Sequence, residues 1–149
     1  MTSHYFDTGL VLKLVIPEPL SDRVLGYVQQ RGLVIPYSRL MEIEIENTLH
    51  ALRFRKVISG RQLAGARQLV ADLVGSGRFV PTEPGLDAIA REALSLVPIL
   101  TPRTGCRTLD LMHVATAKLL RASMFVSMDR RQLAAARLCG LQTVNLDES

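Results

Sequence analysis

The chain has 149 residues, 48% of them hydrophobic and 21% charged, with no tryptophan and 5% aromatics. That composition excludes a disordered chain and leaves a core of Leu, Val, Ile and Ala, which suits a sheet covered by helices. A net charge of +4 and a pI of about 9.5 permit a polyanionic partner without requiring one. Cys106 and Cys139 form no CxxC pair, which argues against a disulfide scaffold and for a reducing compartment. The apolar stretch from Gly9 to Ile16 is interrupted by Lys13 and stopped by Pro17, too short to span a bilayer. No basic segment precedes it and no small-residue cleavage site follows, so no signal peptide or membrane anchor is expected and the cytoplasm is the expected location.

In chain order, His4 to Asp7 reads as a first strand, Leu10 to Val15 as a short helix closed by Pro17-Glu18-Pro19, and Leu20 to Gln30 as a helix ended by Gly32. Leu33 to Ile35 reads as a second strand. Ser38 is placed to cap a long helix through Arg55, and Ser59-Gly60-Arg61-Gln62 has capping-box spacing for a helix reaching Val74. Arg78 to Val80 is a third strand. Pro84 suits the start of a helix running to about Leu96, and Thr101 to Arg107 reads as a loop. Thr108 to Arg121 is a strongly apolar helix, Met124 to Ser127 a strand, Arg130 to Leu138 a helix, and Leu141 to Val144 a last strand. Strands alternating with helices predict an α/β fold, a three-layer α/β/α sandwich around a central, mainly parallel sheet of about five strands. With no repeat, low-complexity tract or long linker, residues 1–149 are expected to form a single domain.

Four acids from distant segments fall where such a fold gathers its site: Asp7, Glu44, Asp110 and Asp129. Asp7 and Asp129 close the first strand and the Met124–Ser127 strand, and ligands of open parallel sheets bind beyond the carboxyl ends of strands. Glu44 falls inside a buried helical arc formed by Leu40, Met41, Ile45, Thr48, Leu49, Ala51 and Leu52, whereas Glu42 and Glu46 point away from it, Glu46 within reach of His50 or Arg53. Asp110 lies in the first turn of an apolar helix, with His113 one turn on as a core or supporting residue. Each acid has a structural explanation: helix capping for Asp7 and Asp129, a buried Arg partner for Glu44, the helix dipole for Asp110. Together they point to a divalent cation, because converging carboxylates repel unless a cation neutralises them. Such a site is suited to phosphodiester chemistry. Ser127 faces the same side of its strand as Asp129 and can hold a water or phosphate.

These positions, taken in order, resemble the PIN-domain family and, within it, the VapC-type toxins of prokaryotic toxin–antitoxin systems. The resemblance rests on Tyr5-Phe6-Asp7-Thr8-Gly9, Ser38-Arg39-Leu40, Glu44-Ile45-Glu46-Asn47-Thr48-Leu49, Arg107 to Ala117 and Phe125 to Leu133. It implies a helix-sandwiched parallel sheet, a Mg²⁺ site (Mn²⁺ substituting) formed by Asp7, Glu44, Asp110 and Asp129, endoribonuclease activity, a cognate antitoxin protein and a homodimer. Gly9 stands where many relatives carry Ser, so Thr8 or Ser127 would supply that hydroxyl. In this scheme Asp7 and Asp110 are direct ligands, Glu44 and Asp129 hold waters or a second ion, and water is the nucleophile. Arg107 and Arg130, with Arg103 and Arg131, lie near the site as contacts for RNA phosphates, and Arg53, Arg55, Lys56 and Arg61 cluster at a helix junction. No Walker loop, zinc spacing or GxSxG elbow occurs. Two rival readings are a PIN-like module that binds RNA or protein without cleaving, and a flavodoxin-like phosphoacceptor domain, for which the acidic pair and late lysine are missing.

Overall fold

A computed structural model describes residues 3–148. Its elements run β1 (His4–Phe6), α1 (Thr8–Leu12), α2 (Ser21–Gln30), β2 (Ile35–Tyr37), α3 (Arg39–Phe54), α4 (Gly60–Gly75), β3 (Phe79–Pro81), α5 (Leu86–Thr104), α6 (Thr108–Leu119), β4 (Met124–Ser127), α7 (Arg130–Leu138) and β5 (Gln142–Asn145). All five expected strands form and all pair in parallel, as the α/β alternation requires. They make two ladders, β1-β4-β5 and β2-β3. The chain divides into two compact units, one built from the segment ending at Asp7 plus everything from Glu83 onward, the other from Thr8–Thr82.

In the first unit, β4 is the central strand. Phe6 pairs with Val126, and the Asp7 N–H extends the ladder by bonding the Val126 carbonyl at 3.2 Å. The strands are short because their work is to carry a few apolar residues into the core and then stop. Tyr5 stacks on Phe125 with ring centroids 5.6 Å apart, and both are fully buried beside Ile89, Leu100, Val114 and Leu133.

Helix α5 is longer than the sequence suggests, running to Thr104 across the expected loop and through Pro98 and Pro102. Its buried residues, Ile89, Ala93, Leu96 and Leu100, keep helical spacing throughout. The carbonyls that lose their amide partners belong to Leu94 and Pro98, on the exposed side, where water can satisfy them. Packing therefore outweighs the prolines. Gly105, at φ +63°, ends the helix in the left-handed conformation and turns the chain into α6.

In the second unit, β2 lies two residues later than Leu33–Ile35. The Leu33 N–H is taken by the Val28 carbonyl at 3.0 Å, closing α2, so Leu33 belongs to the helix end and Val34 is left exposed. Both expected caps form. The Ser38 hydroxyl accepts the Met41 N–H at 3.2 Å. Ser59 and Gln62 make a reciprocal box at 3.0 and 2.7 Å. Of the α4 side chains, only Ala66 is fully buried. Because α4 has so little core to hold it, its cap carries weight: Ser59→Ala should lower stability by about 1 kcal/mol, read as a lower urea midpoint at unchanged slope.

Candidate functional site

The ends of β1 and β4 and the starts of α6 and α7 bring a buried polar group together in the first unit. Asp7, Asp110, Ser127 and Gln132 are 6%, 7%, 0% and 7% exposed. The Ser127 hydroxyl has one proton and two acceptors nearby, Asp7 Oδ2 at 2.6 Å and Gln132 Oε1 at 3.5 Å, and the shorter contact takes it. Ser127 Oγ in turn accepts the Asp129 N–H at 2.9 Å. The Gln132 amide donates to Asp110 Oδ1 at 3.0 Å, and Asp110 Oδ2 accepts the Arg107 N–H at 2.7 Å. Asp7 is thus held by Ser127 and Asp110 by Gln132, and Asp129 links the two holders: its N–H bonds Ser127 Oγ and its Oδ1 accepts the Gln132 N–H.

Asp110 does double duty. Arg107 precedes α6 where a capping acceptor normally sits and offers none, so Asp110, three residues on, reaches back to the Arg107 amide. Asp129 caps α7: its Oδ1 accepts the Arg131 and Gln132 amides at 2.9 and 3.3 Å. The residue is exposed, and its Oδ2 accepts nothing among the described residues. The capping-box pattern of Asp129 to Gln132 is only half realised. Gln132 leaves the Asp129 amide to Ser127 and turns its own amide to Asp110. Gln132 is not among the expected site residues. It is the first buried position of α7, after the exposed Arg130 and Arg131, and its place beside the apolar Leu133, Ala135 and Ala136 is the signal the sequence carries.

A second tie lies one layer deeper. The Tyr5 hydroxyl and His113 Nδ1 are 2.6 Å apart, both essentially inaccessible to solvent. Tyr5 precedes Asp7 by two residues on a strand and His113 follows Asp110 by three on a helix, so each shares a face with its acid. His113 is a supporting core residue, as expected.

In the second unit, Thr8 Oγ1 opens α1 and donates to Glu44 Oε1 at 2.8 Å. Glu44 is half-buried on α3, whose inward face carries Leu40, Met41, Ile45 and Leu49. Glu42 pairs with Arg39 at 2.9 Å. Glu46 pairs with Arg67 at 2.8 Å and His50 at 3.6 Å, and not with Arg53, because α4 packs along α3 and delivers Arg67. Tyr37 is pushed up to about 12 by burial and by Glu42 and Glu46, and burial also raises the Cys139 thiol, so both stay protonated near neutrality. Arg107 and Arg130 are exposed at the starts of α6 and α7.

Among the described residues, no three His, Cys, Asp or Glu side chains form a metal-holding group. The donors in the first unit are nonetheless all hard oxygens: two buried carboxylates, a hydroxyl and a carboxamide. That set fits Mg²⁺ or Mn²⁺, since Mg²⁺ keeps most of its waters and is held through one or two carboxylates. A fully caged ion does not fit.

A family model described as the PIN domain matches residues 4–138. The chain belongs to the PIN-domain family. PIN domains are generally nucleases and typically use divalent metal ions. Similar solved structures include FitAcB from Neisseria gonorrhoeae, 14% identical with a TM-score of 0.63, covering 98% of this chain and 99% of that one. PAE2754 from Pyrobaculum aerophilum is 19% identical with a TM-score of 0.59, covering 98% of this chain and 92% of that one. At these identities the likeness shows a shared fold. No curated protein sequence matches the chain. Among the described residues, no helix is long and apolar enough to cross a membrane.

Gln132→Leu keeps the volume but removes the donor that orients Asp110. Manganese affinity, measured by calorimetry, should fall by about 10- to 100-fold, and the thermal midpoint should also drop because Asp110 loses a buried partner.

Proposed function

We propose that this PIN protein is a Mg²⁺- or Mn²⁺-dependent endoribonuclease and the toxin of a type II toxin–antitoxin pair. The observation that carries the reading is the buried pair of carboxylates, Asp7 bonded to Ser127 and Asp110 to Gln132, in a chain whose family consists generally of nucleases. Two buried carboxylates oriented by a hydroxyl and a carboxamide form a hard-oxygen set suited to a divalent cation.

Asp7 and Asp110 would hold the ion directly, and Glu44 and Asp129 would act through water. When bound, the ion supplies a Lewis acid and a water activated at neutral pH. Ser127 and Gln132 fix the orientations of Asp7 and Asp110, and Thr8 fixes that of Glu44. Arg107 and Arg130, exposed at helix starts, draw the phosphates of the substrate. Hydrolysis of this kind leaves a 5′-phosphate and a 3′-hydroxyl, since the ribose 2′-hydroxyl is not used.

RNA as substrate, an antitoxin protein as partner, a homodimer, a single domain spanning 1–149 and a cytoplasmic location complete the proposal. They are supported by the ordered motif resemblance and the family match across residues 4–138. The test is cleavage of RNA with Mn²⁺, with and without EDTA. Asp7→Asn and Asp110→Asn should each lose at least about 100-fold in rate, EDTA should abolish cleavage, and 5′-end sequencing should find phosphates. Equal loss of RNA with wild type and Asp7→Asn would reject the assignment.

A further inference from the structure

The turn between α3 and α4 carries an aromatic and a set of cations that the carboxylate site does not use. Phe54 ends α3 and is 87% exposed, the most exposed large hydrophobic residue among those described, and Val57 follows at 64%. Around them stand Arg53, Arg55, Lys56 and Arg61, all exposed. From Asn47 to Ala71 the chain contains no acid. Arg67 is neutralised by Glu46, and the other four cations of that stretch make no ion pair among the described residues.

The turn is a defined structure. The Val57 N–H returns to the Leu52 carbonyl at 2.9 Å and the Lys56 N–H to Arg53 at 3.0 Å, closing α3. Ile58 is buried beneath, and the Ser59–Gln62 box opens α4. Lys56 sits at φ +60°, the left-handed position that glycine fills without strain. The negative end of α3 compensates a cation there in part. What the arrangement holds out to solvent is one flat apolar ring among four like charges, which repel one another until a polyanion arrives.

We propose that this turn is a docking platform for single-stranded RNA, with a base stacked on Phe54 and the flanking phosphates on Arg53, Arg55, Lys56 and Arg61. It rests on the reading of the protein as a ribonuclease and adds to it a binding surface within the second unit. The chemistry matches an unpaired strand, whose bases are free to stack on an aromatic face and whose backbone follows cations. Such contacts tolerate many sequences, so the platform holds RNA without selecting it.

The experiment is fluorescence anisotropy of a short labelled single-stranded RNA with the full chain in EDTA, so that binding is read without cleavage. Phe54→Leu, which keeps the apolar surface and loses the ring, should weaken binding about tenfold, and Phe54→Trp should restore it. Arg55→Gln with Lys56→Gln should flatten the dependence of log affinity on log salt by about 0.7 per cation removed. Leu94→Ala, at an apolar position 72% exposed on α5, should bind like wild type. Lys56→Gly should melt higher yet bind more weakly, an opposition that a purely structural role does not produce. Unchanged RNA affinity in the Phe54→Leu and Arg55/Lys56 variants overturns the proposal, as does conversion of a dimer to monomers by them at unchanged affinity, which would assign the surface to a second copy. Cleavage with Mn²⁺ is read separately, so a chain that binds through Phe54 but never cuts refutes only the nuclease reading.

Discussion

Two carboxylates kept out of water set the terms for the first unit. Asp7 and Asp110 are each more than nine-tenths buried, and a buried charge is tolerated only when its surroundings answer it. Much of the local architecture does so. The β1–β4 ladder runs one residue past β1 and seats Asp7 beside Ser127. The start of α6 has a cap residue with no acceptor, which turns Asp110 back onto the Arg107 amide. The first turn of α7 is oriented by Asp129 so that Gln132 faces inward. Beneath these, the Tyr5–His113 bond ties the same strand to the same helix through groups that water does not reach. Ser127 and Gln132 fix how the two acids point.

Much of this was legible in the sequence, and the reasons differ by element. Caps announce themselves because Ser38 and Ser59 act on amides within three residues, so Arg39–Phe54 and Gly60–Gly75 start where their N-cap serines require. The strand Met124–Ser127 is bounded by its own apolar run. The acids stand out because an ionisable residue inside an apolar segment has few inexpensive explanations. Ser127 could be assigned to the site from strand alternation alone.

What stayed hidden depends on choices made by tertiary packing. Gln132 could have closed the capping box with Asp129. It turned to Asp110 because Ser127, from a neighbouring element, had already satisfied that amide. Pro98 and Pro102 read as the end of a helix until it is known that they lie on its wet side. Leu33 has strand character but is captured by the end of α2. Glu46 had an intrahelical arginine available and took Arg67 from the next helix. In each case a local rule was correct about what the residue can do, and a distant residue decided what it does.

The bond between Ser127 and Asp7 spans a separation of 120 residues. Without β4, the first acid has neither its ladder partner nor its hydroxyl donor, and without α7, Asp110 lacks the amide of Gln132. A fragment cut before Met124 therefore cannot seat either buried carboxylate as the intact fold does.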